Sequence, residues 1–408
     1  MKNKLRVISF VCLTLMLIFS GIASAQTGKI AGLGSGFAGL EGSDALYFNP
    51  ALVNPPDDVF TLETNIAVGL WNNGISSDYL NQHWEDDIKG EIMDAVADDG
   101  LILSGGGNQD LRLILGNTTF FAGLKEEASG TLSPDLVELI LEGNEISSEE
   151  EEILYKLDGT ALDFAVYGDA GANLSFSLDR VAEKANLDSF KVGGAYHYLY
   201  GAFGKGEGSG ETEFNYDNIV DSDGEVELRH VEEGEGFAYD VGMALGITER
   251  MTIGASLLNV GKIKAEEHYL TNLEYTTEGE DGEAGFEAGE EPELIEEELE
   301  YELPKTVRLG LGYDWGDSMD VYSDYSQTTY SEDRVEHQIT AGAEFNKLKF
   351  IPLRFGVSYS NLQKDFIMSG GMGLHLGPMQ VDLGFSDLSA FYNDTKSGNL
   401  GISGRIAF

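Results

Sequence analysis

Gly34-Ser35-Gly36-Phe37-Ala38-Gly39 has the spacing of a dinucleotide-binding turn. Such a turn holds a pyrophosphate only when it follows a strand and opens a helix, because backbone N–H groups and a helix N-terminus must face the phosphates. Here it follows an apolar N-terminal run and leads into Asn49-Pro50-Ala51, which argues against a nucleotide. Asp221-Ser222-Asp223-Gly224-Glu225 has the spaced carboxylates of a calcium loop without the twelve-residue ligand series, and reads as an acidic turn. His83, His197, His230, His268, His337 and His375 are scattered, with no pair at metal-ligand spacing. No Gly-x-Ser-x-Gly elbow occurs, so a hydrolase would need a Ser/His pair assembled only in space. The expectation is a non-enzyme with no catalytic residue, metal ligand or cofactor.

The elements around these residues are those of an exported chain. It has 408 residues and a net charge of −46, an excess that disfavours nucleic acid, where affinity comes from Lys and Arg. Lys2, Lys4 and Arg6 precede the apolar run Val7–Ile22 and the ending Ala23-Ser24-Ala25, the order of a secretory signal cleaved before Gln26. Residues 1–25 are therefore set aside as targeting. The single cysteine, Cys12, lies inside that run. Nothing after Ala25 supplies the roughly 18 consecutive apolar residues of a membrane helix. If the remainder enters a membrane it must do so as a closed barrel, which pairs every backbone group.

Period two dominates the rest of the chain. In 60–70, Phe60, Leu62, Thr64, Ile66, Val68 and Leu70 alternate with Thr61, Glu63, Asn65, Ala67 and Gly69. In 237–247, Phe237, Tyr239, Val241, Met243, Leu245 and Ile247 alternate with Ala238, Asp240, Gly242, Ala244 and Gly246. This is the mark of strands with two unlike faces. A soluble sandwich would bury the apolar stripe in a core. A membrane barrel explains in addition why short links near 247–250, 314–317, 346–350 and 376–378 alternate with longer or more acidic ones. The fold expected is all-β: a transmembrane antiparallel barrel of about fourteen strands, near 58–71, 109–117, 118–126, 160–178, 189–204, 235–247, 250–264, 303–313, 318–329, 334–346, 351–361, 364–376, 379–388 and 398–408, with sixteen as the alternative. Phe408 would lie at the periplasmic rim, and acidic external loops would span about 205–235 and 265–302. The stretch 266–302 has sixteen acidic residues and no Lys or Arg, and reads as a mobile, solvated loop.

Helical spacing interrupts the strands. Leu80, Trp84, Ile88, Ile92 and Val96 step by four. Ser133 and Pro134 open a second helix through Leu141, and a third is expected from Ser147, with Glu149–Glu152 at its positive end. Tyr196, Tyr198, Tyr200, Tyr313, Trp315, Tyr322, Tyr325 and Tyr359 suit interfacial girdles.

The segment Gly32–Pro56, GLGSGFAGLEGSDALYFNPALVNPP, resembles the N-terminal segment of the FadL-like outer-membrane superfamily, which is rich in Gly and Ala and ends in Asn-Pro-Ala. The LLNVG closing 237–261, LPKTVRLGLGYDWGDSMDVYSDY at 303–325, IPLRFGVSY at 351–359 and the C-terminal Phe408 are similar to FadL, PorV and TraF relatives. The likeness covers both ends of the chain and is poor over 72–160. It implies a hatch at 26–57, with Asn49, Pro50 and Ala51 as its binding or anchoring residues, a barrel over 58–408, and Phe408 as a membrane-insertion signal. Glycines allow close turning inside a lumen, and Pro50 biases Asn49 away from helix; a plain turn before the first strand is the other reading. The function implied is passive transport or binding of a small hydrophobic, fatty-acid-like molecule by apolar lumen and hatch residues. The alternative is a PorV/TraF-like platform for an exported or secretion protein. Expected partners are outer-membrane lipid, then the hydrophobic small molecule or that protein, and no nucleic acid.

Overall fold

The computed structural model describes residues 27–53, 60–76, 86–97, 99–142, 153–214, 219–222, 224–276, 285–288, 292–316, 318–330, 334–348, 350–391 and 395–408. The signal segment and the helix expected from Ser147 lie outside them. Among the described residues fourteen long strands form one closed antiparallel barrel. They are β1 Thr61–Asn72, β2 Leu101–Leu115, β3 Thr118–Leu132, β4 Ala161–Ser177, β5 Ser189–Ser209, β6 Glu225–Thr248 and β7 Met251–Ala265. The other seven are β8 Lys305–Asp314, β9 Met319–Thr329, β10 Val335–Phe345, β11 Leu353–Ser360, β12 Phe366–Leu376, β13 Met379–Ser386 and β14 Ser397–Ala407. Each pairs with its neighbour in sequence, and β1 closes on β14 from Thr61↔Ala407 to Trp71↔Ser397. Among the described residues no helix is long and apolar enough to cross a membrane.

The alternation sorts the two faces, and the apolar one points outward. On β1, Leu62, Ile66, Val68 and Leu70 are exposed while Thr61, Glu63, Asn65 and Ala67 are buried. On β6, Phe237, Tyr239, Val241 and Met243 are exposed, and Ala238, Asp240 and Ala244 buried. A soluble sandwich would show the reverse. Transfer of such side chains from water into lipid contributes roughly 1.5–3 kcal/mol each, which is why a barrel can carry its apolar surface outside. Of the expected girdle residues, Tyr196, Tyr198, Tyr200, Tyr313, Trp315, Tyr325 and Tyr359 face out. Tyr322 does not: it is buried, its ring centroid 5.3 Å from that of Phe37. Tyr322 and Tyr325 are three residues apart on one strand, so they cannot share a face.

Links at the rim with Phe408 are short, such as 116–117, 249–250 and 377–378; the longest there, 178–188, contains an unanticipated helix, Asp179–Ala185. The long links all leave from the other rim. There α1 Asp86–Val96 and α2 Pro134–Glu142 pack together through Ile92, Val96, Leu101 and Val137; Ser133 caps α2 by accepting from Leu136 N at 3.3 Å.

Where a mobile acidic loop was expected at 265–302, the described residues form sheet. His268–Thr276 pairs with the start of β6, and Gly285–Ala288 and Glu293–Ile295 fold back on it. Leu299–Glu302 pairs with the end of β7. The 205–235 loop likewise shrinks, because β5 runs on to Ser209 and β6 starts at Glu225. The cations missing from 266–302 come from β7: Lys262 meets Glu300 at 2.5 Å and Lys264 meets Glu298 at 2.7 Å. The hydrogen bond from Lys264 holds the Glu298 carboxyl below the usual carboxylate range.

Candidate functional site

Residues 27–53 lie inside the barrel. Thr27 caps a short helix, Gly28–Leu33, which ends at Gly34 with φ 89°. Beyond it come two 3₁₀ turns, Ser43–Tyr47 and Pro50–Leu52. Ile30, Leu33, Phe37, Leu40 and Phe48 form one apolar cluster with Tyr322 of the wall. Ala45, Leu46, Leu52 and Val53 form another with Phe121, Ala195 and Ala244.

The wall makes room by having no side chain where the segment passes. A Cβ at Gly254 would lie 1.7 Å from Ala38 O, one at Gly356 1.9 Å from Leu33 O, and one at Gly384 2.1 Å from Gly28 O. The glycines of the nucleotide-like turn do the same from the other side. Gly34 takes the left-handed conformation that ends the helix, Gly36 lies against the Phe48 ring, and Gly39 lies against Gly312.

Asn49, Pro50 and Ala51 come together at one wall contact. Asn49 Nδ2 donates to Ala38 O at 2.7 Å and to Met243 O at 3.0 Å, while Asn49 Oδ1 accepts from Ala51 N at 3.1 Å. The Pro50 carbonyl lies where a Cβ on Gly193 would be, 2.3 Å away. Ser256 donates to Phe48 O, and Asp324 accepts from Ala38 N at 2.8 Å.

The lumen expected to be apolar is polar and charged, because the outward stripe uses the apolar residues. Arg112 is fully buried and bonds Asp110 at 2.7 Å and Ser43 O at 3.1 Å. Arg354 reaches both Glu344 and Asp382, the latter at 2.6 Å, and Lys29 joins Glu344 at 3.2 Å. Lys125 pairs with Asp169 at 2.8 Å, and Arg308 with Asp324 at 3.1 Å. His197 lies between two carboxylates, 2.9 Å from Asp169 and 3.1 Å from Asp240. With both ring nitrogens occupied, the imidazole acts as a brace and has no lone pair free for base chemistry. The other histidines join no metal cluster among the described residues. The calcium-like turn at 221–225 lies partly outside them.

Between Tyr47 and Phe48 of the segment and the rim remote from Phe408 is a cavity of about 140 Å³. Trp71, Lys125, Arg308 and Tyr330 also line it. It touches the wall where the β7–β8 ladder breaks. Pairing runs to Leu258↔Thr306 and resumes at Lys262↔Glu302, and on its other side β7 carries a bulge between Leu257 and Val260 where it pairs with β6. Asn259, at φ 57°, bridges the break by donating from Nδ2 to Pro304 O at 3.2 Å, and its N–H donates to Asp240 at 2.6 Å. None of Lys125, Asp240, Asn259 or Arg308 was singled out from sequence as a site residue. The readable signal was a charge on the small-residue face of an otherwise apolar strand, as in TVRLGLG.

The crystal structure of the Ralstonia pickettii toluene transporter TbuX matches with a TM-score of 0.56 at 15% identity, covering 94% of this chain and 99% of that one. The fold is that of the FadL-type barrels. The P. putida toluene transporter TodX gives 0.53 at 12% identity, covering 95% and 99%. A Pseudomonas aeruginosa FadL homologue gives 0.53 at 13%, covering 95% and 100%. A family of unknown function (DUF5723) matches residues 204–385. No curated protein sequence matches. Two of these neighbours are toluene transporters, and the set gives no support to a secretion platform.

Proposed function

We propose that this chain, exported with cleavage after Ala25, is an outer-membrane channel for the passive passage of a small hydrophobic molecule, and that residues 26–57 are its hatch. The observation that carries the reading is the placement of the cavity. It lies between the hatch and the remote rim and touches the wall at the interrupted β7–β8 ladder. Asn49, Pro50 and Ala51 hold the hatch against β5 and β6, the cavity receives the molecule, and the seam at Asn259 and Pro304 releases it sideways. A volume of about 140 Å³ favours a compact molecule, or the end of a fatty-acid-like chain, over a long chain bound whole. The two toluene transporters among the solved neighbours support the same class of cargo. No step of this passage needs bond making, so the protein acts without catalysis.

The test is reconstitution of the full chain in liposomes, following entry of labelled toluene and labelled octanoate. Faster entry than through liposomes holding heat-unfolded protein supports the channel. Equal rates for both compounds remove it.

A further inference from the structure

One line of side chains joins the hatch to the interrupted ladder in the wall, crossing the inner face of β3 to β7. Lys125 on β3 pairs with Asp169 on β4 at 2.8 Å, and Asp169 meets His197 on β5 at 2.9 Å. His197 in turn meets Asp240 on β6 at 3.1 Å, and Asp240 accepts the Asn259 N–H of β7 at 2.6 Å. Asp169, His197 and Asp240 are each at most 2% exposed, so water does not compete for these bonds. The hatch end of the line is Tyr47. The Lys125 ammonium lies 5.1 Å from the centre of its ring, within cation–π range. Phe121 packs between Tyr47 and His197, its ring centroid 6.1 Å from the first and 4.8 Å from the second.

The wall end is held in a conformation that it would not keep alone. Asn259 has φ 57°, in the left-handed region disfavoured for residues with a side chain. Pro304 across the seam has no N–H to donate, so it offers Asn259 an acceptor only. Two bonds fix Asn259: its N–H to Asp240, and its Nδ2 to Pro304 O at 3.2 Å. Strained backbone persists where its surroundings over-determine it. Asp240 is the partner tied back to the lumen.

Building on the channel reading, we propose that Asp240 is the positioning residue for sideways release, and that the hatch controls it through Lys125, Asp169 and His197. A molecule in the cavity touches both ends of this line, because Tyr47, Lys125, Asp240, Asn259 and Pro304 all line it. Pushing Tyr47 and Lys125 aside leaves Asp169 with His197. The imidazole is drawn toward Asp169, Asp240 loses its brace and turns from Asn259, and the seam opens. Asn259 is thus the two-state element that such coupling requires, bridged to Pro304 or released from it.

The experiment places a spin label on Val260, which is 39% exposed at the outer side of the seam. Residues 26–408 contain no cysteine, so Val260→Cys gives a single attachment point. A label on Val381 of β13, 50% exposed, is the control. The full chain is reconstituted in phospholipid vesicles and label mobility is read from the resonance line shape. Lys125→Met, four strands from the label, should raise the mobile fraction at 260 roughly fivefold, the lower end of ordinary coupling between sites, and leave 381 unchanged. Lys125→Arg, which keeps a cation beside Asp169, should restore the natural spectrum. Lys125→Met added to Asp240→Leu should do no more than Asp240→Leu alone, because both act through one line of contacts. Saturating toluene should mobilise label 260 with Lys125 and Asp240 in place, so a variant that fails to assemble does not end the test. Failure of either Lys125→Met or toluene to mobilise label 260, or equal loosening at 260 and 381, overturns the inference. Where liposomes still admit toluene or octanoate, that result leaves the channel standing. Entry of neither compound removes the channel, and release through the seam with it.

Discussion

Asn49 in the hatch donates from Nδ2 to the carbonyl of Met243 on the barrel wall at 3.0 Å, across 194 residues of chain. The same amide donates to Ala38 O, so one side chain ties together two parts of the hatch and strand β6. Asn49→Ala leaves both carbonyls without this donor, and each buried orphan costs about 1–3 kcal/mol. The expected outcome is a looser hatch and a lower unfolding temperature. The band shift between boiled and unboiled samples on gels, followed against temperature, reads the second; conductance in planar bilayers reads the first.

Gly356 tests whether the wall glycines are required by the hatch or by the barrel. Its absent Cβ would lie 1.9 Å from Leu33 O, whereas one at Gly398 would meet nothing within 4 Å. Overpacking of this kind costs about 1–3 kcal/mol. Gly356→Ala should expose residues 27–53 to protease in the folded barrel, and Gly398→Ala should not. Equal protection in both would mean that the hatch is not seated on this strand.

Arg354 is 1% exposed and serves two carboxylates, Glu344 and Asp382. Arg354→Met takes the guanidinium from both, leaving Glu344 only Lys29 and Asp382 only His375, and removing one partner of a buried ion pair typically costs about 3–5 kcal/mol. Loss of Lys264 on the external sheet, beside Glu298, should leave stability unchanged within error, because exposed pairs are screened by water and salt. Urea midpoints of the two variants in lipid make the comparison.

Much of this barrel was legible in sequence, for a reason that also marks where legibility stops. Lipid demands an apolar residue at every second position, so all fourteen strands showed through where they cross the membrane. The first half of β2, Leu101–Asn108, was missed because Ser104-Gly105-Gly106-Gly107 has no apolar alternation. The outer parts of β5 and β6 were read as loops because they extend beyond the lipid, where Glu at alternate positions is as well hydrated as any residue. The apolar lumen was an error of parity: Glu63, Asn65, Asp240 and Arg308 sit opposite the apolar stripe, and in a closed barrel the opposite face is the inside. Asn49 could be found from its tripeptide. Asp240 could not, since its role depends on His197, 43 residues away on the facing strand.

The external sheet should respond to salt. The sequence of 266–302 has sixteen acidic residues, and among the described ones Glu300 and Glu298 are relieved by Lys262 and Lys264. The screening length falls from about 10 Å at 0.1 M to about 3 Å at 1 M. Amide exchange in His268–Thr276 should therefore slow several-fold over that range, with β8–β14 unaffected. A faster exchange at high salt would show that the lysine pairs outweigh the repulsion.

Phe408 is 72% exposed, its N–H donates to Phe60 O at 2.8 Å, and its ring centroid lies 5.5 Å from that of Phe60. We propose that it serves as an insertion signal, which would act before folding ends. Phe408→Ser should lower the amount of folded barrel recovered from membranes several-fold while hardly changing the unfolding temperature of what does assemble. A drop in both in proportion would make it an ordinary packing residue.

The opening helix of the hatch rests on the last strands of the barrel. Gly28 N donates to Ser403 Oγ across 375 residues, and the same glycine lies against β13. Contacts this remote in sequence form slowly, because the chain between them must first be brought into place. The first residues of the folded unit to emerge from export are thus among the last to find their seat. Until β11–β14 arrive, the hatch has apolar side chains and nowhere to put them, so assembly cannot run in the order of synthesis: the segment must be kept from aggregating while its own wall is still being delivered.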